Sequence, residues 1–93
     1  MLMIDISIAL DIQAAYVRFN LGEYGRWIEV DEDTNVDLGS DGRVLGVEFL
    51  YFGNLTASRE SLNLKKPDLS EVVIDAVLEA QEILVKKLSS ASL

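Results

Sequence analysis

The stretch Val30–Leu50, VDEDTNVDLGSDGRVLGVEFL, constrains the fold more than any other part of the chain. Its first half holds acidic and turn-forming residues, and its second half alternates apolar with polar ones. Val36 and Leu38 alternate with Asn35 and Asp37. Gly39-Ser40-Asp41-Gly42 follows, and glycine and aspartate tolerate the positive φ that tight hairpins need. Alternation then resumes from Arg43 to about Phe52, with Leu45, Val47, Phe49 and Tyr51 on one side. Side chains of a strand point to opposite faces in turn, so this pattern predicts two antiparallel strands and a tight turn.

The same period of two runs through the residues before it. Ile4, Ile6, Ile8 and Leu10 share one side of a strand, with Asp5 and Ser7 on the other. Asp11-Ile12-Gln13 reads as a turn. Val17, Phe19 and Leu21 alternate with Tyr16, Arg18 and Asn20, and Ile28 and Val30 with Trp27 and Glu29. The links are too short for parallel crossovers. The expected sheet is therefore an antiparallel meander of five strands, at about 3–10, 14–21, 26–30, 34–38 and 43–52.

After Pro67 the period changes. Leu69, Val72, Val73, Ala76, Val77, Ala80, Ile83, Leu84 and Leu88 recur at three- and four-residue steps, which predicts one amphipathic helix over about 69–88. Asp68 with Glu71 fits a capping box, and Lys86 and Lys87 suit the far end of the helix dipole. Gly53–Lys66 has no clear period and reads as a loop, with Leu62 and Leu64 as a possible short strand. The tail SSASL reads as frayed. A sheet with one apolar face and a helix with one apolar stripe pack together most simply as a two-layer α+β protein, one domain over 1–93.

The chain has no cysteine and no histidine, which removes disulfides, thiolate nucleophiles, the commonest general base and the commonest transition-metal ligands. MLMIDISIAL lacks a basic n-region and a small-residue cleavage site, and no apolar run approaches the length of a membrane span. The expectation is a soluble, cytoplasmic protein with no membrane contact and no cofactor. Net charge is −8. Residues 1–55 contribute −7 and residues 56–93 only −1, and six acids with no base lie between Glu29 and Asp41. Such a surface repels phosphate backbones and attracts basic proteins or cations.

Several of these segments resemble one family. Ala15-Tyr16-Val17-Arg18-Phe19, Glu29-Val30-Asp31, Asn35-Val36-Asp37-Leu38 and Asp41 through Glu48 follow the pattern of the prokaryotic family catalogued as domain of unknown function 2283. The resemblance covers about residues 4–52. The first turn departs from the family pattern, since Leu10-Asp11-Ile12-Gln13 has no proline. The resemblance supports the strands and implies no activity. Some relatives look like the smaller partner of toxin–antitoxin gene pairs, which implies an acidic partner for a basic protein.

Three candidate sites emerge. Asp37, Gly39, Asp41, Gly42 and Glu48 come close to a calcium loop, but position three is a glycine and no helices flank it. A frame starting at Asp31, Asp33 and Asn35 fails at its glycine and glutamate positions. These residues read better as a hairpin turn. Paired carboxylates, Asp31 with Asp33 or Asp37 with Glu48, suggest glycosidase-like chemistry only if a cleft exists, and one small sheet with one helix gives little room for it. Ser89, Ser90 and Ser92 beside Lys86 and Lys87 do not make a serine–lysine dyad at a frayed end.

The third candidate is the sheet face away from the helix. If the helix covers Val17, Phe19, Ile28, Val47 and Phe49, the other face carries Tyr16, Arg18, Trp27, Glu29, Val44, Glu48, Leu50 and Phe52. Aromatic and aliphatic residues beside arginine and glutamate match the composition of protein interfaces. The loop after Gly53 could instead fold over this face. The expected function is a non-enzymatic interaction module with no catalytic or metal site, working as a homodimer or with a basic protein partner. The alternative is a small cation-binding or carboxylate-based enzyme using the Asp31–Asp41 acids.

Overall fold

The structure is a computed structural model and describes residues 2–91. Five antiparallel strands, β1 (Asp5–Ala9), β2 (Ala14–Arg18), β3 (Tyr24–Asp31), β4 (Thr34–Gly39) and β5 (Val44–Phe49), precede helices α1 (Arg59–Lys65) and α2 (Glu71–Ala91). The α+β class and the five strands agree with the sequence expectation. The strand order does not: it is β1-β2-β5-β4-β3 rather than a meander.

The reason is visible in the strands themselves. β5, VLGVEF, is buried at five of its six positions and sits at the centre. β3, YGRWIEVD, is mostly exposed and sits at an edge. The chain leaving β2 is held at β5, where the amides of Phe19 and Asn20 both donate to Leu45 O and Asn20 Nδ2 donates to Val44 O at 2.7 Å. It then passes the β4–β5 turn, where Ser40 N donates to Glu23 O, and enters β3 at the far edge.

A bulge in β5 sets which residues face the core. Asp37 lies opposite Gly46 and Leu38 opposite Val44, so Leu45 is the extra residue. Val44 therefore turns inward and is 2% exposed, whereas the unbroken alternation placed it outside. The strand also ends at Phe49 rather than Phe52. Phe52 N donates to Gln13 O, and the Phe52 ring is 9% exposed within the core. Leu21 lies beyond the end of β2 and is exposed. In the β4–β5 turn Gly42 takes φ +87°, as its position suggested, and Arg43 N donates to Asp41 Oδ1 at 3.0 Å.

The core joins Val17, Phe19, Val36, Val47 and Phe49 of the sheet to Val73, Ile74, Val77, Ala80 and Leu84 of α2. The three- and four-residue spacing of these α2 positions makes the apolar stripe. α2 starts two residues later than predicted, and Ser70 caps it: Val73 N donates to Ser70 Oγ at 3.3 Å. It runs through Ser89 and Ser90, so that part of the tail is helical, while Ser92 and Leu93 lie outside the described residues.

α1 was not predicted. Ser58 and Ser61 form its capping box, and Leu62 enters the core. The two-residue spacing of Leu62 and Leu64 imitates a strand, yet Leu64 is left exposed on the helix. The segment before α1 is tied to α2 by Gln81. Its side chain accepts from Ala57 N at 3.0 Å and donates to Ala57 O at 2.9 Å. Arg59 adds ion pairs to Glu71 and Asp75. This linker and α1 therefore join the layer of α2, and the other sheet face stays open.

Candidate functional site

The strand register builds the open face in rows. One row runs Asp5, Arg18, Gly46, Asp37, Trp27, and the next runs Ser7, Tyr16, Glu48, Asn35, Glu29. Tyr16, Arg18, Trp27, Glu29 and Glu48 of the predicted interface thus share one face. Leu50 follows β5 at one end of it and is 48% exposed, and Trp27 is 53% exposed at the β3 edge. Val44 and Phe52 leave the set, because the bulge and the early end of β5 bury them beneath the helices.

The centre of this face depends on a glycine. Tyr16 lies across β5 and donates its hydroxyl to Asp37 Oδ2 on β4 at 3.0 Å. A Cβ at position 46 would come within 2.4 Å of that hydroxyl oxygen, so only glycine lets the ring lie there. Partial burial, then the charge of Asp37 and its hydrogen bond, push ionisation of the Tyr16 phenol well above the ordinary range. The Arg18 guanidinium sits 5.5 Å from the centre of the Tyr16 ring and 3.5 Å from Asp5. Asn35 Nδ2 donates to Glu48 at 3.4 Å. Sequence reading missed Asp37, Asn35 and Gly46 as members of this face. Their signal was alternation, which sets Asn35 and Asp37 opposite Val36 and Leu38 and puts Gly46 in step with Glu48.

The acids of residues 31–41 do not converge. Asp31, Glu32 and Asp33 form the β3–β4 turn, where Asp31 accepts from Asp33 N at 2.9 Å. Asp41 lies in the β4–β5 turn at the opposite end of the sheet and pairs with Arg43 at 2.8 Å. The amide of Arg43, and then its guanidinium, hold the Asp41 carboxyl below its usual value. Among the described residues no group of three acids could hold a metal ion. Glu48 stays in its strand and does not fold back to the turn.

Clefts do exist, contrary to the expectation of little room, and one lies on the helical side. It holds about 480 Å³ between the inner side of β3 and the start of α2, lined by Arg26, Ile28, Lys66, Asp68, Leu69 and Val72 among others. Asp68 is its only carboxylate, so the paired-carboxylate chemistry has no site there. Its origin is geometric. A helix about 10 Å across cannot cover five strands set nearly 5 Å apart. No helix among the described residues is long and apolar enough to cross a membrane.

The molecule is thus a two-layer α+β protein with all its helical cover on one side of the sheet and an aromatic, acidic face on the other. Residues 11–52 match the family model described as Protein of unknown function (DUF2283). The match takes in a little under half of the chain, from before β2 to past β5, and begins seven residues later than the resemblance read from the sequence. It leaves out β1 and both helices. No curated protein and no solved structure matches the chain.

Proposed function

We propose that this chain is a non-enzymatic interaction module whose open sheet face takes a basic segment of a partner protein. The observation that carries the reading is the charge and shape of that face. Glu29, Asp37 and Glu48 surround the strands next to an exposed Trp27, while the face's arginine, Arg18, is already engaged by Asp5. An incoming arginine finds carboxylates to pair with and an indole to stack on. Tyr16 supports a binding role over a catalytic one, since its hydroxyl is held by Asp37 and stays protonated at neutral pH. A basic toxin-like protein is one partner that fits, in keeping with what the family resemblance implies.

The test is a titration with an arginine-rich peptide, followed by Trp27 fluorescence at low and high salt. Binding should shift the emission and weaken as salt rises. Asp37→Asn with Glu48→Gln should weaken it about tenfold, equivalent to roughly 1.4 kcal/mol. Glu60→Gln on α1 should leave it unchanged. An equal loss in the α1 variant would mean that net charge alone attracts the peptide and would overturn the proposal.

A further inference from the structure

The two edges of the sheet are built differently. β3 is obstructed: Lys66 Nζ donates to Glu29 O, and the register shifts twice along the strand. Lysine at an edge and bulges are the usual means of preventing strand addition. β1 has neither. It pairs regularly over all five residues with β2 and has no neighbour on its far side among the described residues. Its flank carries aliphatic residues as well. Ile4 and Leu10, at its two ends, are 48% and 68% exposed, and a cavity of about 330 Å³ opens between it and α2, lined by Met3, Ile6, Ile83 and the lysines 86 and 87 among others.

We infer that the β1 edge pairs with β1 of a second copy, antiparallel about a two-fold axis through Ser7, to make one ten-stranded sheet. This register overlaps the whole strand. On the helix side it sets Ile6 against Ile8 of the other copy twice over, so these half-buried aliphatic residues cover one another. On the open side it sets Ser7 against Ser7 and Asp5 against Ala9, so no like charges meet. Asp5 is the only charged residue of β1, and it is paired with Arg18. The same cannot be done with the open face, because a two-fold contact there would bring the acidic faces of the two copies, each with Glu29, Asp37 and Glu48, against one another. A contact of one edge strand and its flank is smaller than the roughly 800 Å² per partner of standard interfaces, so the dimer should be a weak, reversible one.

Sedimentation of the full chain from about 1 μM to 1 mM tests the association, where mass should rise from 10.3 kDa toward twice that value. A monomer throughout overturns the inference. The chain has no cysteine, so single cysteines report the register cleanly. Ser7→Cys should cross-link to itself with a short thiol reagent at least tenfold faster than Asp5→Cys, whose partners would lie about 13 Å apart. Equal rates overturn the β1 contact even if a dimer forms. Ser7 is exposed in the single chain. Ser7→Lys should therefore keep the monomer's melting temperature while weakening association at least tenfold, and unchanged association overturns the register.

Discussion

At the scale of single residues, the open face turns on the contact of Tyr16, Gly46 and Asp37. The ring occupies the space a side chain at 46 would take, so Gly46→Ala must displace it and break the bond to Asp37. Overpacking of this kind costs about 1–3 kcal/mol, which thermal unfolding will show as a lower melting temperature. The pH dependence follows from the phenol. Its folded pKa lies above the unfolded value of about 10, so its contribution is complete below that pH and is lost as pH rises beyond it. Alkaline unfolding should therefore have a component that disappears in Tyr16→Phe. In Gly46→Ala the Tyr16 absorbance change should move back toward the ordinary tyrosine range. Little of this was legible in the sequence. Tyr16 and Glu48 were placed on the outer face by alternation, but Gly46 is informative only once β5 is known to lie beside β2.

At the scale of elements, alternation identified every strand and the apolar stripe identified α2. Neighbour relations were harder. A period of two says which face a residue takes, and nothing about which strand lies alongside. The clue lay in composition: Val44–Phe49 is the most apolar strand and belongs in the centre, and Tyr24–Asp31, with Arg26, Glu29 and Asp31, belongs at an edge. The bulge at Leu45 reverses the parity of Val44 and left no mark in the alternation. The linker after β5 was legible only as lacking a period, because it is held by polar bonds rather than by an apolar stripe. Gln81 is the main tie, replacing a strand-like pairing with Ala57. Gln81→Ala leaves the Ala57 amide and carbonyl without that partner and should cost about 1–3 kcal/mol. Hydrogen exchange should locate the loosening in residues 53–66, with the sheet amides protected as before.

At the scale of the whole molecule, charge is divided between layers. The sheet half of the chain carries −7 and the helical half −1, so the sheet layer and its turns hold most of the net charge of a 38 × 30 × 22 Å body. Self-repulsion is sharpest in the β3–β4 turn, where Asp31, Glu32 and Asp33 are consecutive. Glu32 is exposed, and its charge has no cation nearby in sequence, the nearest being Arg26 and Arg43. Removing it relieves repulsion without disturbing the Asp31–Asp33 turn bond. Glu32→Gln should therefore raise the melting temperature by about one to two degrees at low salt. The gain should vanish near 1 M salt, where the Debye length falls to about 3 Å and the unmodified chain is itself stabilised by screening. A gain that persists at high salt would place its cause in turn conformation rather than in charge. The same experiment separates the two surfaces proposed above. Peptide binding at the open face should weaken with salt, whereas β1 pairing, which rests on backbone hydrogen bonds and aliphatic contact, should hold or strengthen.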